Sequence, residues 1–170
     1  IMYHHRPQYA QAGDPPELQS RTLVGFDATW RYNESGIDPG PGWAAVNDPI
    51  GGAWQSGVGA LGVETNLARL PVGLGTVLTR PADNSPYVVT YYFETDFEMT
   101  SAGMDAVSDL EITHAIDDGA IFYLNGQEVG RFGMNDGIVT ADTLAADGLE
   151  AELNTLAVDP SFLLIGTNRI

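Results

Sequence analysis

Two adjacent carboxylates followed by glycine, Asp117-Asp118-Gly119, are the residues here whose types and spacing most invite chemistry. A pair of acids can serve as general acid and base when one is kept protonated in a cleft and both flank the bond to be broken. Adjacent acids at a tight corner do something plainer. Their oxygens accept backbone N–H bonds while the glycine takes the positive φ that the bend requires. The same pair offers oxygens to calcium, which needs about six to eight of them. Further oxygen donors stand at Asp27, Asp38, Asp48 and Glu64, with no EF-hand spacing among them. With 23 acidic residues in the chain, neighbouring acids also arise by chance. A turn is therefore the stronger reading of Asp117 and Asp118, a metal site the second, and catalysis the third.

His114, just before that corner, shares its strand parity with Leu110 and Ile112. A buried, hydrogen-bonded imidazole accounts for it better than a catalytic base or a metal ligand does. The chain contains no G-x-S-x-G elbow, no phosphate-binding G-x-x-x-x-G-K-[ST] loop, no H-E-x-x-H and no G-x-G-x-x-G. No catalytic residue is assigned. Aromatic rings at Trp30, Tyr32 and Trp43 are the ligand-binding candidates, because flat apolar faces stack on sugar rings. For the group, and above all for Trp54 between its glycines, plugging the ends of a sandwich is the weightier alternative. Trp43, inside "PGPGWAA", is the ring best placed to face solvent. Arg131 is expected near the Asp117–Asp118 corner, paired with a carboxylate.

The elements that must position these residues are strands. Twenty glycines and ten prolines in 170 residues predict many turns. In "YVVTYYFETDFEMT", residues 87–100, Tyr91, Phe93, Thr95, Phe97 and Met99 alternate with polar positions, the period of a half-buried strand. "DLEITHAI" repeats the pattern. "AIFYL" and "QEVGRF" flank Asn125-Gly126, the signature of a type I′ hairpin turn. Residues 109–132 thus read as a three-strand antiparallel meander with two tight corners. Further short strands follow in "GIVTADTLA" and "LAV…SFLLIG". The expected fold is all-β, a jelly-roll sandwich of about eight antiparallel strands. Its core would hold Tyr91, Phe93, Phe97, Leu110, Ile112, Phe122 or Tyr123, and Leu163, Leu164 and Ile165. Residues 1–21 read as an extended lead-in or linker, and 22–170 as the sandwich module.

Charge narrows the partners. The formal net charge is −16, all seven basic residues are arginine, and cysteine is absent. A nucleic acid demands a basic footprint, so DNA and RNA are excluded, and an anionic membrane surface is disfavoured on the same ground. No run of about 18 apolar residues predicts membrane insertion. Strong acidity without lysine suits a secreted or cell-surface protein in salty water. The chain opens on Ile1 and stops at "GTNRI" where a strand begins, which predicts a piece of a longer polypeptide.

The ordered series "DATWRYNESG", "GAWQSGVGALGVET", "TYYFETDFEM", "AIDDGAIFYLNGQEVGRF" and "LLIGTNRI" resembles the galactose-binding-domain-like jelly rolls. These are accessory modules of large secreted or surface-anchored bacterial proteins. The likeness covers residues 22–170, and its most specific part is the DDG–YLNG pair. It implies a non-catalytic module of an extracellular protein, carbohydrate as partner, neighbouring domains of the same polypeptide, and no required cofactor. A structural calcium is compatible with it, with Asp117 and Asp118 as candidates. Two departures stand out. The "NDPIGGAW" loop lacks the Asp-Asp-Ser run common in such modules. Family members also continue past the GTN turn into an apolar strand, so the module is expected to be cropped before its last strand or completed by another chain. Three functions follow in order: a carbohydrate-binding module; a structural or assembly domain joining neighbouring domains or chains; and a hydrolase using Asp117 or Asp118 with His114.

Overall fold

The computed structural model describes residues 1–5, 19–47, 52–79 and 88–170. The chain folds as an all-β sandwich. Its strands are β1 (Met2–His5), β2 (Gln19–Thr22), β3 (Thr29–Asn33), β4 (Gln55–Val58), β5 (Leu61–Gly62), β6 (Thr76–Val77), β7 (Tyr92–Glu94) and β8 (Asp96–Met99). They continue as β9 (Val107–Ile116), β10 (Ala120–Leu124), β11 (Gln127–Phe132), β12 (Glu152–Val158) and β13 (Gly166–Arg169). Among the described residues one α-helix, α1 (Ser101–Ala106), starts where the Thr100 hydroxyl accepts the Gly103 amide at 3.0 Å.

The largest sheet has the order β12-β9-β1-β2, all antiparallel. The lead-in is therefore extended at its start, but as a paired strand: Met2–His5 lies between β9 and β2. Residues 6–18 fall outside the described residues. Side chains of β1, β8, β9, β10 and β12 meet in one core of Ile1, Tyr3, Phe97, Met99, Leu110, Ile112, Leu124, Val158 and Leu163. Against the large sheet lie the β10–β11 hairpin and the β8–β13 pair.

Several expectations need correction, and residues 137–145, GIVTADTLA, form no strand. Residues 109–132 do not form one meander. β10 and β11 pair with each other, whereas β9 pairs with β12 and β1. The Asp117-Asp118-Gly119 corner passes the chain from one sheet to another, and His114 on β9 then packs on Phe122 and Phe132 at ring distances of 5.0 and 4.7 Å. A further correction concerns residues 87–100. The strand changes partners at Thr95: β7 pairs with β3, and β8 pairs with β13. Thr95 exchanges both backbone bonds with Ile170 and donates its hydroxyl to the Thr29 carbonyl at 2.9 Å. Side-chain parity inverts there. Tyr92 and Glu94 are buried in place of Tyr91 and Phe93, while Phe97 and Met99 stay inward. Phe122 and Tyr123 are half-buried, and Leu164 and Ile165 are exposed, leaving Leu163 alone of its trio in the core.

The type I′ turn is present, with φ of 54° at Asn125 and 81° at Gly126. The hairpin above it is bulged, because Phe122 faces Gly130 while Tyr123 faces Glu128. Gly130 is glycine for reasons of space: an added Cβ would come within 2.5 Å of Leu156 on β12.

Candidate functional site

The deepest polar structure in the molecule starts at the hairpin turn. Asn168 on β13 is fully buried. Its carbonyl oxygen accepts from the Leu164 amide at 2.7 Å and from Asn125 Nδ2 at 2.8 Å. Its own Nδ2 donates to the carbonyls of Leu164 and Gly166. Asn125 in turn accepts the Arg169 amide at 3.0 Å and donates to the Phe162 carbonyl at 2.9 Å. The YLNG and GTN segments thus hold each other with every amide atom satisfied.

Next to that lock, Arg169 reaches two carboxylates and a backbone carbonyl. Its Nε donates to Asp96 at 2.8 Å, Nη2 to the same carboxylate at 3.2 Å, and Nη1 to the Ala45 carbonyl at 3.0 Å. Nη1 also lies 3.4 Å from Glu94 Oε2. Arg31 on β3 completes the square, with Nε to Glu94 at 2.8 Å and Nη2 to Asp96 at 2.9 Å. Glu94 is 1% exposed, and two guanidiniums face it inside the protein. Burial by itself would raise the Asp96 pKa. Hydrogen bonds from Arg169 and Arg31, with their charges, outweigh burial and hold it below the usual carboxylate range.

This network aims a loop. The Ala45 carbonyl held by Arg169 lies two residues after Trp43, and Ala45 also packs on Gly126 of the hairpin turn. Trp43 stacks on Trp54 with centroids 6.1 Å apart, and meets Tyr92 and Tyr123 edge-on at 5.2 and 5.8 Å. Beside Trp43 opens a cleft of about 320 Å³ lined by Asp38, Gly40, Pro41, Gly42, Trp43, Ala44, Tyr123 and Gly126. That volume sits at the small end of the range for ligand sites, roughly 300–1,000 Å³. Asp38 caps its own turn, accepting the Gly40 amide at 2.8 Å. Burial, and then the Glu128 charge, push the Tyr123 phenol up. Burial, then Asp38, Tyr123 and Asp142, do the same to Tyr92. Both hydroxyls stay neutral and able to donate.

Of the ring candidates, Trp43 lines the cleft and the other two do not. Tyr32 is buried, with its hydroxyl donating to Gln55 at 3.3 Å. Trp30, also on β3, is half-buried with its indole against Gly59. Within the cleft, Trp43 is joined by Tyr123. Tyr123 escaped notice because the bulge between Phe122 and Tyr123 breaks the alternation that would have placed it.

The Asp117–Asp118 corner is a turn. The Asp118 amide donates to Asp117 Oδ1 at 3.1 Å. The left-handed residue is Asp118, φ 25°, rather than Gly119. Gly119 is required for space, since a Cβ would lie 2.9 Å from the Gly133 carbonyl and 2.7 Å from the Met134 sulfur. Both acidic side chains are exposed. Among the described residues no three His, Asp or Glu side chains gather closely enough to hold a metal ion. Among the described residues, Asp27, Asp38 and Glu64 do not join Asp117 and Asp118, and Asp48 lies outside the described residues. His114 is buried as expected, but its Nδ1 has no hydrogen-bond partner. Arg131 pairs with Glu128 at 2.6 Å and spends its other nitrogens on the carbonyls of Asn135 and Gly137. It braces the loop after β11 and does not reach the acidic corner through any of these bonds. Among the described residues no helix is long and apolar enough to cross a membrane. No family model, curated protein or solved structure matches the chain.

Proposed function

We propose that this chain is a non-catalytic, carbohydrate-binding accessory module of a larger extracellular protein, similar to the galactose-binding-domain-like jelly rolls. The observation that carries the proposal is the Trp43–Tyr123 cleft, where two aromatic rings, a carboxylate and exposed turn backbone converge on a volume of about 320 Å³. Sugar recognition combines an apolar ring face with a few directional polar groups, and these residue types supply both. The buried Arg169 holds the loop from beneath, so the site is preorganised and little ordering entropy is spent on binding. Titration calorimetry and a glycan array test it. Millimolar or tighter binding of a glycan, lost in Trp43→Ala and in Tyr123→Ala, is the expected result. Absence of binding to every neutral, amino-bearing and acidic glycan removes the proposal.

A second reading, a structural domain that joins neighbouring domains or chains, draws support from the large sheet. β1 comes from the very start of the sequence and occupies an interior position there, and β2 at the sheet edge is exposed along its length. An open edge of this kind can accept a further strand. Analytical ultracentrifugation separates the two readings: self-association broken by Ser20→Pro favours assembly.

A further inference from the structure

Resting on the carbohydrate reading, we propose that the Trp43–Tyr123 cleft selects a cationic saccharide, an amino sugar with a free ammonium group, and that Asp38 is the residue that confers the selection. Among the described residues Asp38 is the one acidic residue lining the cleft, and no basic residue lines it. The chain contains no lysine. Among the described residues, the arginines around the cleft are already committed. Arg131, close to Tyr123, is held by Glu128 and two carbonyls. Arg169 is held by Asp96, Glu94 and Ala45, and Arg31 by Glu94 and Asp96.

A uronate or sulfated sugar would therefore enter with its charge unpaired and facing a carboxylate. An ammonium would meet the Asp38 carboxylate and two electron-rich rings, both attractive to a cation. Asp142 adds to the same field, since its charge and that of Asp38 both reach the Tyr92 hydroxyl behind Trp43. The Asp38 side chain can change charge without changing shape. Its Oδ1 accepts the Gly40 amide, a bond that asparagine at this position would keep.

The experiment is calorimetric titration with matched oligomers of glucosamine, N-acetylglucosamine and galacturonate, at a pH low enough to protonate the free amine. An exposed charge pair is worth about 1 kcal/mol or less, so the glucosamine oligomer should bind up to about fivefold more tightly than its N-acetylated counterpart. The uronate should bind worst. Asp38→Asn should bring the ratio close to one. Asp105→Asn, which removes the same charge from an exposed site on α1, should leave the ratio as it was and so exclude a general effect of the −16 net charge. Equal binding of the free and acetylated amines, a ratio that survives Asp38→Asn, or tighter binding of the uronate overturns charge selection while leaving the carbohydrate reading intact. Failure of all three oligomers, with no other glycan bound on an array, overturns both.

Discussion

Two pairs of acids in this protein do very different work. Asp117 and Asp118 are adjacent, exposed, and joined to the fold by one local bond from the Asp118 amide to Asp117. Glu94 and Asp96 lie two residues apart on a strand that changes sheets between them. They bind Arg31 on β3 and Arg169 on β13, and through Arg169 the loop that carries Trp43. The first pair bends the chain where water could satisfy the same groups. The second is tied to three separate segments and includes a carboxylate with almost no water. An acid in this fold matters in proportion to the desolvated partners it would abandon, and not to how conspicuous it is along the chain.

The comparison can be broken at its strongest point first. Glu94→Ala would leave the buried guanidinium of Arg169 short of a counter-charge, and should cost about 3–5 kcal/mol in urea denaturation. A loss below about 1 kcal/mol would mean that the square of charges is ornamental. Next is Asn168→Ala, which removes the fully buried amide that the Leu164 amide and two carbonyls bond to. A loss of about 2–3 kcal/mol is expected, with a matching fall in Tm.

His114 sharpens the contrast, being an ionisable group buried without a partner. Burial lowers its pKa from the ordinary 6.5, so the unfolded chain takes up the proton first. Stability should be complete above about 6.5 and decline as pH falls through the window just below it. His114→Leu should abolish that decline and leave stability at neutral pH unchanged or higher, because Nδ1 gains nothing from its present site. An unaltered acid profile in His114→Leu would show that the imidazole finds a proton acceptor on opening or in place. The smallest effect belongs to the first acid pair. Asp117→Ala should cost about 1 kcal/mol or less. Asp118→Gly should be neutral or slightly stabilising, since Asp118 holds the left-handed conformation that glycine adopts freely. A loss above about 2 kcal/mol at Asp117 would erase the distinction between the two pairs.

What local rules govern was open to reading from the residues. Alternation along "DLEITHAI" placed Leu110, Ile112 and His114 inward, as found. Asn125-Gly126 specified its turn because only certain residues tolerate two successive positive φ angles. The switch at Thr95 was hidden, since its cause is a pair of bonds to Ile170, 75 residues away (170 less 95). The same holds for the inversion that buries Glu94, and for Tyr123 facing the cleft beyond a bulge.

By itself, then, the amino-acid order determined the strand-rich class, the hairpin turn and the strongly acidic net charge. Those properties depend on neighbours within a few residues or on composition. Tertiary structure alone decided which acids are buried, which arginines are spent, and that Asn125 and Asn168 lock the ends of two distant segments. The ion pairs of Arg31 and Arg169 and the Asn125–Asn168 bond are meetings of groups 40 or more positions apart, such as Arg31 with Glu94, separated by 63. The energy of such a meeting comes from excluding water around both partners at once, and no pattern along the chain records it.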